Sequence, residues 1–219
     1  MVKYINESVT ILAPSRFNKK SGVEILKQLE SYGRTCYKSR HLITGDSHLK
    51  YINMIMANGH LSVIEHVNIT FLVVGNRGLS HELVRHRIAS YSQESTRYCN
   101  YAKDKFGSEI SVIDQSKHIN PDGNNQVALD LWKVAMQEAE DSYMSLLDLG
   151  VPPQLARGVL PIDVKTEVVV TMNLRELGHM LKLRTSPAAH PNIRNVMVEL
   201  WAVLRENIPI IFDDLSSFT

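Results

Sequence analysis

The sequence predicts an α/β or α+β protein folded as one domain over residues 1–219, and three observations predict it. Short β-branched runs lie far apart in the chain, segments with helical spacing of apolar residues fall between them, and neither an internal repeat nor a linker breaks the series. With 44% hydrophobic and 21% charged residues in 219, the chain can build a real core and lies outside disordered compositions.

The first strand is expected at Ser8–Ala13, closed by Pro14. Ser21 then reads as the N-cap of a helix that carries Val23, Ile25, Leu26 and Leu29 toward Tyr32 and Gly33. A second helix is expected from Asp46, with Leu49, Ile52, Met54, Ile55 and Met56 before Gly59. Val67 to Phe71 alternate apolar and polar residues before Leu72-Val73-Val74, which predicts a strand with one well-buried face, ended by Gly75. Ser80 is positioned to cap a helix leading into Arg85-His86-Arg87.

Residues 103–124 are polar and close on Pro121-Asp122-Gly123, so they read as a mobile surface loop with a short strand at 110–114. Val127, Leu131, Trp132, Ala135, Met136, Ala139, Tyr143, Leu146 and Leu147 predict the longest helix, ending at Gly150. Pro152-Pro153 restarts a short helix before Pro161. Glu167–Met172 is the third strand, followed by helices at 174–184 and about 192–206.

Twenty-four Lys+Arg against 23 Asp+Glu leave a net charge of +1, too little to hold a nucleic acid or an anionic membrane by a global field. Any anion must be met locally. Two cysteines without a CxxC pair build no disulfide framework, which places the chain in a reducing cytoplasm. No stretch approaches the roughly 18 apolar residues of a membrane span. GxGxxG and GxxxxGK[ST] loops are absent, so a bound nucleotide must be gripped by side chains. His60, Glu65-His66, His81 and His86 lack HExxH or a carboxylate-rich ladder, and no metal is expected. Cys36 and Cys99 show no activating base and read as packing residues.

The densest polar stretch is residues 85–98, with Arg85, Arg87 and Arg97, the hydroxyls of Ser90, Ser92, Ser95 and Thr96, Gln93, His86 and only one acid, Glu94. Guanidinium forks and hydroxyls suit phosphate oxygens. An extended 91–97 would put Tyr91, Gln93, Ser95 and Arg97 on one side. On chemistry alone a second reading stays open: Arg85, His86 and Arg87 end a helix, offsetting its dipole by about 0.3–1 kcal/mol, and Glu82–Arg85 is a surface ion pair.

In helix 174–184, Leu177, Met180 and Leu181 mark an apolar stripe onto which Arg184 falls after two turns. An inward arginine needs a partner. Arg175 and His179, with Lys182 nearby, occupy another face, and a solvated face is the plain alternative for Arg175 and Lys182.

Arg85-His86-Arg87 followed by seven residues and Ser95 resembles the signature of the flavin-dependent thymidylate synthases, the ThyX family. The resemblance continues in family order through Arg34-Thr35-Cys36, Gly59-His60 to Glu65-His66, Arg157-Gly158-Val159-Leu160-Pro161, Asn173-Leu174-Arg175 and Leu183-Arg184. It implies a central mixed sheet flanked by helices, and methylation of dUMP to dTMP with methylenetetrahydrofolate as carbon donor and FAD reduced by NADPH as hydride source. It also implies a homotetramer with active sites at subunit interfaces.

By the same resemblance, Arg85, His86 and Arg87 contact the flavin together with Ser62, Gln93, Asn173, Leu174, Arg175 and His179. Gln93, Glu94, Ser95, Thr96 and Arg97, with Glu82, Arg85 and Arg157, line the dUMP site, His60 lies near flavin or folate, and Arg184 activates the pyrimidine. The chain departs from the usual family residues at Cys36, Glu82, Gln93 and His179 and in the stretch 187–191. Two other classes remain: a module that binds phosphorylated nucleotides or RNA ends through residues 85–97, and a phosphotransferase using His86.

Overall fold

The computed structural model describes residues 1–102 and 107–218, so residues 103–106 of the expected mobile loop lie outside the described residues. The elements in order are strands β1 (Lys3–Ile5) and β2 (Ser8–Ala13), helices α1 (Lys19–Gly33) and α2 (Ser47–Ala57), strand β3 (Asn68–Asn76), helix α3 (Arg77–Leu83), and strands β4 (Ala89–Gln93) and β5 (Ser111–Ile113). Helices α4 (Ser116–Ile119), α5 (Gln126–Asp148) and α6 (Pro153–Ala156) come next, then strand β6 (Lys165–Asn173) and helices α7 (Leu174–Arg184), α8 (Pro191–Asn207) and α9 (Pro209–Phe212). This is a mixed α/β fold with a four-stranded sheet in the order β2-β3-β6-β4 and a two-stranded sheet of β1 and β5.

The chain divides into two compact units. The first comprises Met1–Ser8, Val74–Leu83 and Ser92–Val168. Here β1 pairs parallel with β5, Lys3 opposite Ser111 and Ile5 opposite Ile113. Val2, Tyr101, Ile110, Val112, Met136, Tyr143 and Ala156 form its core, with Cys99 and Trp132 packed against them. Asp163 gathers donors from Asn76 Nδ2, Gln115 Nε2 and Trp132 Nε1 at 2.8, 2.9 and 3.0 Å. The long helix α5 buries a narrower face than its apolar spacing predicts: Leu129, Met136 and Tyr143 are inside, while Val127 and Leu131 are exposed.

The second unit comprises Val9–Val73, Val84–Tyr91 and the chain from Val169 on. In it α1 packs on α2 and α8, and α8 on α7 and α9. Ile25, Leu26 and Leu29 of α1, Ile52 and Ile55 of α2, and Val196, Met197, Leu200 and Leu204 of α8 are buried. Ile69, Phe71 and Val73 of β3 are fully buried, the one-sided face its alternation predicts.

Several boundaries differ from the sequence reading. The N-cap of α1 is Asn18, whose side chain accepts from Lys20 N and Ser21 N; Ser21 is the third helical residue and completes a capping box. Strand β3 runs through Gly75 to Asn76, and the glycine allows Leu79 to approach, since a Cβ there would stand 2.7 Å from Leu79 Cδ1. Asn76 Oδ1 then accepts from Leu79 N at 2.7 Å, and Ser80 lies inside α3 with its hydroxyl on Arg77 O. Cys36 is exposed, not packed.

Candidate active site

The predicted residues fall into two groups, one in each unit. In the first unit, the extended backbone stops at Gln93, so the expected alternation through Arg97 does not form. Ser95 O instead accepts from both Tyr98 N and Cys99 N at 3.1 and 2.9 Å, closing a turn. The turn gathers Ser95, Thr96 and Arg97 in consecutive positions. Buried Thr96 accepts from Arg157 Nη1 at 3.2 Å, and Arg97 Nε donates to Gln154 Oε1 at 3.1 Å. Two guanidinium groups and two hydroxyls on one turn and its neighbouring 3-10 turn (Arg157–Val159) can chelate a phosphate.

Gln93 is tethered, its Nε2 donating to Ser80 Oγ and Thr166 Oγ1 at 3.0 and 3.2 Å. Glu94 turns to a separate cavity of about 300 Å³, lined also by Lys3, Glu109 and Ser111. Its carboxylate accepts from Tyr101 Oη at 2.8 Å and from Lys165 Nζ at 3.0 Å. Burial and Glu94 push the Tyr101 phenol up, while for Lys165 burial is outweighed by bonds to Glu167 and Glu94, which raise its ammonium. Glu82 is half-buried on α3.

In the second unit, β6 runs directly into α7 because Asn173 caps the helix, its Oδ1 accepting from Glu176 N at 2.9 Å. Leu174 is fully buried at that junction. Arg175 Nη1 reaches Glu65 Oε1 at 2.7 Å. With Ile88, Asn173, Glu176 and His179 they line a cavity of about 330 Å³. Lys182 turns away, donating to the carbonyls of Ser216 and Phe218 at 3.0 and 2.8 Å; it is exposed, and the Arg175 side chain is 43% exposed, so both keep the solvated character of the plain alternative beside these contacts. Ser62, on the 3-10 turn Leu61–His66, and His60 are exposed.

His86 is 5% exposed, between exposed Arg85 and Arg87. Its Nε2 accepts from Arg184 Nε at 3.1 Å, its Nδ1 lies 3.4 Å from Glu176 Oε1, and its ring meets that of His179 edge-on at 6.2 Å. Burial first, then Arg184 and His179, lower its pKa to about 4. Half-buried Arg184 therefore has the partner its inward position requires, an uncharged imidazole. Arg85, His86 and Arg87 follow α3, which ends at Leu83, rather than form its last turn.

Glu176 is the residue the sequence reading missed. It stands two turns before Arg184 on α7, a spacing that puts both on one face. Tyr91, placed by the sequence on one side of an extended 91–97, instead donates its hydroxyl to His86 O at 2.6 Å.

Among the described residues no group of three or more His, Cys, Asp or Glu side chains is placed to hold a metal ion, and no helix is long and apolar enough to cross a membrane. Fold and sites together define a mixed α/β protein whose candidate sites are clusters of cationic and hydroxyl side chains.

Residues 24–210 match the family model described as thymidylate synthase complementing protein. A flavin-dependent thymidylate synthase of Geobacter sulfurreducens is 37% identical over 192 residues, covering 83% of this chain and 78% of the relative. One of Thermococcus onnurineus is 41% identical over 157 residues, covering 71% of this chain and 60% of the relative. The matched part thus spans about three fifths of the archaeal relative's length. The UMP/dUMP methylase PolB of Streptomyces cacaoi shares the fold, with a TM-score of 0.76 and 24% identity over 99% of this chain and 97% of that one. The chain belongs to the thymidylate synthase complementing protein family, the flavin-dependent thymidylate synthases.

Proposed function

We propose that this protein methylates C5 of dUMP to give dTMP, with methylenetetrahydrofolate supplying the carbon and FAD, reduced by NADPH, supplying the hydride. The observation that carries the reading is Arg184, held half-buried through Nε by a neutral His86 within the span that matches the family.

The residues present fit a flavin. The 330 Å³ cavity offers a guanidinium, an imidazole and the apolar side chain of Ile88, while exposed Arg85 and Arg87 suit the pyrophosphate. Its volume suits one end of a dinucleotide, in keeping with a site completed by another subunit of a homotetramer. When bound, FAD supplies hydride transfer, which no side chain provides.

The rest is the work of the chain. Ser95, Thr96, Arg97 and Arg157 hold the phosphate of dUMP. Gln93, tethered to Ser80 and Thr166, presents its free carbonyl oxygen toward a ligand. Arg184 stabilises the negative charge that develops on the pyrimidine as C5 becomes nucleophilic, and does so without solvent reorganisation because it is already in place.

The visible absorption spectrum of the purified protein tests this, followed by NADPH and dUMP without air. Flavin bands that bleach, with dTMP formed once methylenetetrahydrofolate is added, are expected. A colourless protein that takes up no added FAD overturns the reading and returns attention to a phosphate-binding module.

A further inference from the structure

We infer that Glu176 is a positioning residue: its carboxylate fixes the rotation of the His86 ring, and the ring in turn aims the guanidinium of Arg184. The inference rests on the proposed reaction for the task it gives Arg184, and on geometry alone for the state of His86.

The geometry leaves one arrangement. An arginine Nε–H is always a donor, so the nitrogen that receives it, His86 Nε2, must carry no proton. A neutral imidazole then has its proton on Nδ1, and Nδ1 is the nitrogen that stands 3.4 Å from Glu176 Oε1. With the ring 5% exposed, water is a poor substitute for that acceptor. The main chain beneath is pinned by the Tyr91 hydroxyl on His86 O. A carboxylate, an imidazole and a guanidinium therefore form a row in which each group orients the next.

The groups facing His86 are Glu176, His179 and Arg184 from α7 and Tyr91 from β4, with Arg85 and Arg87 on either side in sequence. Two of these, Arg184 and His179, act with burial to keep the ring neutral. Glu176 is the one anion in the set. Its removal would leave a buried Nδ1–H without an acceptor, and the ring would turn to recover one, carrying Nε2 away from Arg184.

Two readouts test this on the flavin-loaded protein. Nitrogen NMR of the imidazoles, with the His86 signals identified by their loss in His86→Asn, is expected to show a single Nδ1-protonated tautomer near neutral pH, and in Glu176→Ala a mixture of tautomers. An Nε2-protonated or charged His86 in the wild type overturns the inference, whether or not the protein makes dTMP. In kinetics, with rates taken per bound flavin because Glu176 also lines the 330 Å³ cavity, Glu176→Ala is expected to lower kcat about 10–100-fold, the range for losing the outer partner of a histidine that holds a functional group, with KM for dUMP unchanged. Glu176→Gln, whose amide oxygen still accepts from Nδ1–H, should recover most of the rate. Equal losses in the two variants, or an undiminished kcat in Glu176→Ala, would overturn it. Absence of dTMP formation by the wild type would sink the proposed reaction instead, leaving the spectrum to decide the tautomer.

Discussion

Arg184 donates its Nε–H to Nε2 of His86 across 3.1 Å, so a permanent cation is held by a ring that carries no charge. An acidic partner at Nε would have diminished the positive character of the guanidinium, which the uncharged ring leaves intact.

Arg184→Ala should therefore keep the fold and the flavin yet lower turnover by about 10²–10³-fold, the usual effect of removing one transition-state donor. Rates of dTMP formation against flavin absorbance on the same samples check this. Near-normal dTMP formation would reject the role.

The low pKa of His86 makes stability depend on pH. The unfolded ring titrates near 6.5 and the folded one near 4, so between those values the unfolded chain binds a proton the native state refuses. The stabilisation is fully present above pH 6.5 and is lost as pH falls through that window, about 3 kcal/mol in all. Burial raises the Glu176 carboxyl, which works in the opposite sense at the acid end. Denaturant unfolding of wild type and His86→Asn should show the wild-type advantage shrinking as pH drops, whereas a constant difference would contradict the assignment.

Ser95→Ala should raise KM for dUMP roughly tenfold with little change in kcat, since it removes one hydrogen bond to a charged phosphate. Steady-state kinetics with varied dUMP decide it. A dead enzyme that still binds dUMP would mean that Ser95 takes part in the chemistry.

Glu30 is buried on α1 and takes both Nε and Nη2 of Arg34 on Oε1, each at 2.7 Å, and Ser47 Oγ on Oε2 at 2.8 Å. Arg34→Leu strands that carboxylate and should destabilise the protein by about 3–5 kcal/mol, while Glu30→Met with Arg34→Leu should regain most of it. Urea unfolding of the single and double variants makes the comparison. Equal stability of wild type and Arg34→Leu would show that the pair holds nothing together.

Gly178 on α7 lies against the Phe218 ring, where a Cβ would overlap Cε1. Gly178→Ala should lower stability by about 1–3 kcal/mol through overpacking and expose the segment around Phe218 to limited proteolysis. Unchanged resistance to digestion would show that the ring moves aside freely.

Much of the fold was legible in the sequence where a local signal is sufficient. Helix 174–184 was read with its true bounds from the apolar stripe of Leu177, Met180 and Leu181, and β3 was read to within two residues because residues 67–71 alternate apolar and polar before the run Leu72-Val73-Val74. Strand β1 was not, since three residues carry no period and its partner β5 lies a hundred residues on. The turn at Ser95 escaped because it depends on one carbonyl accepting two N–H groups, which residue types do not reveal. At the site, Arg184 announced itself as an arginine on an apolar stripe, but its partner His86 sits 98 positions away. Glu176 had the right spacing and gained meaning only once the fold brought that ring beside it.

The seat of Phe218 against Gly178 also bears on how a ligand would be received. A one-residue slip of α7 would rotate it by about 100° and drive a side chain into the space the ring occupies. Lys182, bonded to two carbonyls of the same segment, resists sliding along the axis. Arg175, Glu176, His179 and Arg184 thus ride on a helix whose register is locked before anything binds. Their ordering entropy is spent during folding, so a ligand meets a preorganised row of polar groups.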